Sequence, residues 1–96
     1  MTIRSLVHKG LRQLYTDAIR KGVPPEAVDS SARCSNFLDA MQDLEELRSL
    51  PTWKAYVLTG DRKGTWSLHV TRNYRLTFGV DAASSEILDV DLEDYH

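Results

Sequence analysis

Three stretches in the second half of the chain carry side chains able to handle a phosphodiester. They are Gly60-Asp61-Arg62-Lys63-Gly64-Thr65-Trp66-Ser67, Arg72-Asn73-Tyr74-Arg75-Leu76-Thr77-Phe78 and Asp94-Tyr95-His96. Cutting RNA without a metal takes a group that removes the 2′-OH proton, cations that stabilise the crowded phosphorane, and a group that protonates the departing 5′-oxygen. Histidine titrates near neutrality and serves as general acid or base, while arginine offers planar, forked donors matched to phosphate oxygens. Tyrosine stacks on a base or donates a hydrogen bond.

The same residues have plainer readings that spacing alone leaves open. A histidine at the position of His96 is commonly a mobile end. Arg75, on a solvated strand face, would pair readily with Asp89 or Asp91 across the sheet. The segment from Gly60 to Gly64 is a generic hairpin turn without the Walker Lys-Ser/Thr pattern, which argues against nucleotide binding. His8, His69 and His96 lack metal-ligand spacing, so neither a metal nor another cofactor is expected. Cys34 is the only cysteine, which excludes an intrachain disulfide and fits a small apolar residue packed on a helix.

Positioning these groups requires a core, and 96 residues at 42% hydrophobic content suit one domain, residues 1–96. Twelve Lys plus Arg stand against fourteen Asp plus Glu, a net charge of −2 that gives no global signal for nucleic acid. The distribution is uneven. Residues 1–25 hold five basic and one acidic side chain, 26–53 two and six, 54–75 five and one, and 76–96 none and six. Basic blocks that met in space would form a local phosphate-binding surface. No signal peptide and no run of about 18 apolar residues occurs, so a soluble cytoplasmic protein without a membrane partner is expected.

Alternation over residues 3–7 predicts a first strand. Leu11, Leu14, Tyr15, Ala18 and Ile19 then follow helical spacing, predicting a helix over residues 9–21 that Gly22 stops. Pro24-Pro25 opens a second helix to about residue 41, with Val28, Ala32, Leu38 and Met41 inward, and the two helices form a hairpin. Asp43 with Glu46 reads as a capping box for a short helical turn through Leu44 and Leu47, closed by Pro51. Beyond it the period becomes that of strands: residues 53–58; 66–71 with Trp66, Leu68 and Val70 on one face; and 74–80 with Arg75 and Thr77 turned away from the core. The last strand has Leu88, Val90 and Leu92 inward, with Asp89, Asp91, Glu93 and Tyr95 outward. The fold class is α+β: a strand, a helical hairpin, then an antiparallel sheet of about four strands with helices on one face. Arg75, His69, Tyr95 and His96 collect on its other face, and Trp53, Trp66, Tyr74 and Phe78 are core aromatics.

These residues, in this order, resemble the HigB toxins of the RelE/ParE superfamily, also called plasmid maintenance killer proteins. The resemblance begins with Ile3-Arg4-Ser5-Leu6 and His8-Lys9-Gly10-Leu11, passes through Gly22-Val23-Pro24-Pro25, and is densest over residues 58–78 and 89–96. It implies a compact RelE-like fold and a cytoplasmic toxin, a metal-independent endoribonuclease (an mRNA interferase) that cuts mRNA on the 70S ribosome. A HigA-like helix-turn-helix antitoxin would hold it inactive, with operator DNA bound only through the toxin–antitoxin complex. Carried over by residue, the resemblance gives His96 proton transfer, Tyr95 base stacking or orientation of the 2′-OH, Arg75 charge stabilisation and Asp94 positioning. Arg62, Lys63, Arg72 and His69 would face RNA or ribosome. The chain departs from the family pattern at Thr59, where relatives carry Lys, and at Thr71, where they carry Arg; Lys63 and Arg72 are the substitutes at hand. Two alternatives are a non-catalytic, ParE-like inhibitor of DNA gyrase and a degenerate toxin acting only as an antitoxin-binding co-repressor.

Overall fold

The computed structural model describes residues 1–49 and 53–94. In chain order its elements are β1 (Thr2–Ile3), α1 (Lys9–Asp17), a 3-10 turn (Pro25–Ala27), α2 (Val28–Ala40), the single-turn α3 (Glu45–Arg48) and β2 (Tyr56–Val57). A second 3-10 turn (Gly60–Arg62) then leads to β3 (Trp66–His69), β4 (Tyr74–Asp81) and β5 (Glu86–Asp94). The strands form one sheet in the order β1-β5-β4-β3-β2. The antiparallel meander has the expected four strands, and β1 adds a fifth, parallel to β5 through Thr2↔Glu86 and Ile3↔Ile87. The sheet is therefore mixed, because the first strand buries Ile3 beside the last one rather than standing apart.

Alternation over residues 3–7 overstates that first strand. The ladder stops after Ile3, and only Leu6 rejoins it, through an isolated parallel bridge to Val90. The cause lies in β5, where Asp89 adopts a left-handed φ of 53° and its N–H turns to Ser5 Oγ at 2.8 Å. This is a β-bulge: Gly79 faces Leu88 and Thr77 faces Asp91, so two residues of β5 oppose Phe78. Its effect on the core is direct. Ile87, not Leu88, is buried, while Val90 and Leu92 point inward as expected. Simple alternation fails at Leu88 because the extra residue resets the parity.

Helix α1 ends at Asp17, about a turn before Gly22. Ala18 takes the left-handed conformation at φ 57°, its N–H bonds Leu14 O at 3.1 Å, and the N–H of Ile19 reaches back to Gln13 O at 3.1 Å. The Ala18 bond is the 5→1 bond of an αL stop, here built on alanine. Gly22 serves close approach instead: a Cβ on Gly10 would lie 2.0 Å from the Gly22 carbonyl oxygen, so the loop after α1 sits directly on the helix's first turn. Pro25 opens the turn into α2, as its fixed φ favours. At α3 the reciprocal cap is present, with Glu46 Oε2 accepting from the Asp43 N–H at 2.9 Å and Asp43 Oδ1 from the Glu45 N–H at 2.9 Å. Pro51, expected to close this turn, lies outside the described residues. The strand expected over 53–58 shrinks to Tyr56–Val57 because Lys54 sits at φ 45°.

Leu11 of α1, Val28, Cys34 and Leu38 of α2, and Leu47 of α3 join the inner faces of β3, β4 and β5 in one buried apolar cluster. Ala32 is only half-buried. Trp66 and Phe78 lie in this cluster, and Trp53 and Tyr74 pack against it. With the helices occupying that side, the other face of the sheet is left for polar side chains.

Candidate functional site

Strand register builds a polar row across that other face. His69 of β3 is opposite Arg75 of β4, and Arg75 is opposite Glu93 of β5. The next row along is Ser67, Thr77 and Asp91. Arg75 and Thr77 therefore point away from the core, as the alternation in β4 requires. The cross-strand partner of Arg75 is Glu93, with Nη2 donating to Oε1 at 3.2 Å, rather than Asp89 or Asp91.

Arg62 reaches the same carboxylate from the loop. Gly60 at φ 73° and Gly64 at φ 91° bracket the 3-10 turn, backbone conformations that glycine adopts without strain. The N–H of Thr65 bonds Arg62 O at 3.0 Å and the N–H of Leu58 bonds Thr65 O at 2.8 Å, so the loop folds back over the sheet. The Arg62 guanidinium then grips Glu93 with both terminal nitrogens, Nη1 to Oε1 at 2.7 Å and Nη2 to Oε2 at 2.5 Å. Thr77 Oγ1 donates to Oε2 at 2.6 Å. Glu93 is thus the hub of the face. The Arg62 hydrogen bonds chiefly, opposed by partial burial and assisted by Thr77 and Arg75, hold its carboxyl at about 2, so it is ionised at neutral pH. In return, the Glu93 hydrogen bonds raise the pKa of Arg62.

Beside this cluster lies a groove of about 260 Å³ lined by Val7, Arg62, Thr65, Thr77, Asp89, Asp91 and Glu93, together with backbone near Gly79. Among the described residues, no three His, Cys, Asp or Glu side chains are grouped to hold a metal ion.

Of the residues singled out from sequence, the structure brings Arg62, Arg75 and His69 to one face. Lys63 is exposed on the same loop. Arg72 is exposed in the β3–β4 turn, which Thr71 Oγ1 pins by accepting from the N–H groups of Asn73 and Tyr74, each at 3.2 Å. Asp94 pairs with Tyr74 in the ladder, so its parity is that of Leu92 and the inner face, and it is exposed at the strand's end. The turn and Asp94 share that end of the sheet. Tyr95 and His96 lie outside the described residues. Thr59, exposed, precedes the 3-10 turn. Glu93 is the residue that sequence reasoning missed. Its outward parity was visible, but the bulge conceals which acid faces Arg75.

Comparison with known proteins adds an independent observation. Residues 4–96 match the family described as the RelE-like toxin of type II toxin-antitoxin system HigB. The chain is also 38% identical over 96 residues to Endoribonuclease HigB of Proteus vulgaris, an alignment that covers 98% of this chain and 99% of that protein.

Proposed function

The chain belongs to the HigB-like toxins of type II toxin–antitoxin systems, and from that premise we propose that it is an endoribonuclease that cuts mRNA on the ribosome and so halts translation. A toxin of this class has an antitoxin partner; the proposed one is a HigA-like helix-turn-helix protein, with the 70S ribosome and its mRNA as target and operator DNA reached only through the antitoxin. The 96 residues act as one toxin domain in the cytoplasm, and none of the helices described is long and apolar enough to cross a membrane.

The observation that carries this reading is the row of His69, Arg75 and Glu93 on the helix-free face, at the end of the sheet where the chain runs on into Tyr95 and His96. In the proposed mechanism Arg75 stabilises charge on the phosphorane, His96 transfers a proton, Tyr95 stacks on a base or orients the 2′-OH, and Asp94 positions the terminal pair. Lys63 and Arg72, both exposed, and Arg62 contact RNA backbone, with His69 beside Arg75. No step calls for a metal. The gyrase and co-repressor alternatives are not favoured, since the relative aligned over nearly the whole chain is an endoribonuclease.

Primer extension on mRNA in a reconstituted translation reaction tests the proposal, with a control lacking ribosomes. New 5′ ends inside codons that require ribosomes are expected. Arg75→Ala should lower the cutting rate about 10²-fold or more, the scale of losing a transition-state charge donor, and His96→Gln about 10²-fold to 10⁴-fold. Unchanged cutting by both variants would overturn the residue assignment, and intact mRNA with folded wild-type protein would overturn the activity.

A further inference from the structure

We infer that the Glu93 carboxylate is a built-in occupant of the Arg62 phosphate fork, so that RNA gains Arg62 only by displacing it. The inference rests on the proposed RNA-cutting reading and concerns a residue that reading leaves without a role. Carboxylate and phosphate are the two anions that a guanidinium fork fits in bidentate fashion. In this structure the fork is filled: both Arg62 terminal nitrogens are on Glu93. The pair is at the surface, with 43% of the Arg62 side chain exposed, and it borders the groove on the proposed RNA face.

The four donors to Glu93 differ in how they are held. Arg75 and Thr77 come from the sheet at β4, whereas Arg62 comes from a loop. Exchange therefore needs only the Arg62 side chain to swing outward, while Thr77 Oγ1 and Arg75 Nη2 keep the carboxylate in place. Asp89 and Asp91 line the same groove, so local charge does not draw a backbone in and the exchange depends on RNA that is already placed. Free RNA, held by nothing else, must compete with Glu93 for Arg62. RNA already placed by the ribosome competes at high effective concentration. Glu93 thereby lowers affinity for RNA in general and favours substrate that is already positioned.

The test is binding to 70S ribosomes programmed with mRNA carrying 2′-O-methyl groups, which removes the nucleophile and prevents cutting. Glu93→Gln and Glu93→Ala, both checked for folding by thermal melting, should each bind on the order of fivefold tighter than wild type. Their plots of log affinity against log salt should be steeper by about 0.7, one extra single-strand phosphate contact. Glu86→Gln removes the same charge from the other end of β5 and should change neither quantity. In an Arg62→Gln background the gain from Glu93→Gln should disappear. A gain that persists without Arg62, or affinity and salt slope unmoved by either Glu93 variant, overturns the inference. Wild-type protein that binds and cuts unmodified mRNA in that case leaves the nuclease reading standing, whereas wild-type protein that does neither sinks that reading itself.

Discussion

At the residue scale the most consequential side chain is an acid. Glu93 is held at about 2 by hydrogen bonds that exist only in the folded chain, well below the ordinary carboxylate value of about 4.3. Because the folded value is depressed, its contribution to stability is fully present above about pH 4.3 and is lost as pH falls towards 2. Thermal melts of wild type should therefore lose more between neutral pH and this acid range than melts of Glu93→Gln, and parallel profiles would show that the contact contributes nothing. Cys34 illustrates the opposite environment. Burial pushes its thiol up to about 12, against the weaker pull of Arg33, so a thiolate-directed reagent should modify it only when the protein unfolds. Rapid labelling of native protein would contradict this. Arg75 and His69 could be read from parity alone, since a side chain between core residues on a strand must face the other way. Glu93 could not, because facing outward does not reveal which acid stands opposite which base.

Elements carry a different lesson: β4 and the end of α2 fall where their periods place them, whereas the ends of α1, β1 and β2 do not. Helical spacing holds for Leu11, Leu14 and Tyr15, but Ala18 and Ile19 fall outside α1 and are exposed, because the helix stops at Asp17 where the chain turns back to seat Gly22 on Gly10. Periodicity records which residues could share a face; it carries no information about a backbone contact between two glycines. The same blindness applies to β5, where one residue at positive φ moves the buried position from Leu88 to Ile87. Two substitutions separate these backbone demands. Ala18→Gly relieves a left-handed alanine and should stabilise by about 1 kcal/mol, raising the melting temperature by roughly 4–8 °C. Gly10→Ala forces a Cβ against a carbonyl and should destabilise by about 1–3 kcal/mol, the usual cost of overpacking. A Gly10→Ala variant that melts like wild type would mean the loop shifts freely, and then Gly22 would have no structural reason to be glycine.

Over the whole molecule, topology decides what the alternating charge blocks do. β5, which carries most of the acidic C-terminal block, lies between β1 and β4, and its acids meet basic residues from both sides: Arg4 bonds Glu86 at 3.0 Å, while Arg62 and Arg75 share Glu93. The first strand and the arginine-bearing strand are thus separated by acid instead of merging into one positive field. Under the proposed function, RNA affinity would come from a few placed cations rather than from bulk charge, which suits a substrate held by the ribosome. The same layout separates stability from chemistry. Among the described residues the buried cluster reaches as far along the chain as Leu92, four positions before the proposed proton-transfer residue. His96→Gln should then melt within about 3 °C of wild type while losing mRNA cutting by about 10²-fold or more. A variant that lost both together would make His96 a structural residue, and the acid–base role would have to move to His69, which stands opposite Arg75 on the helix-free face.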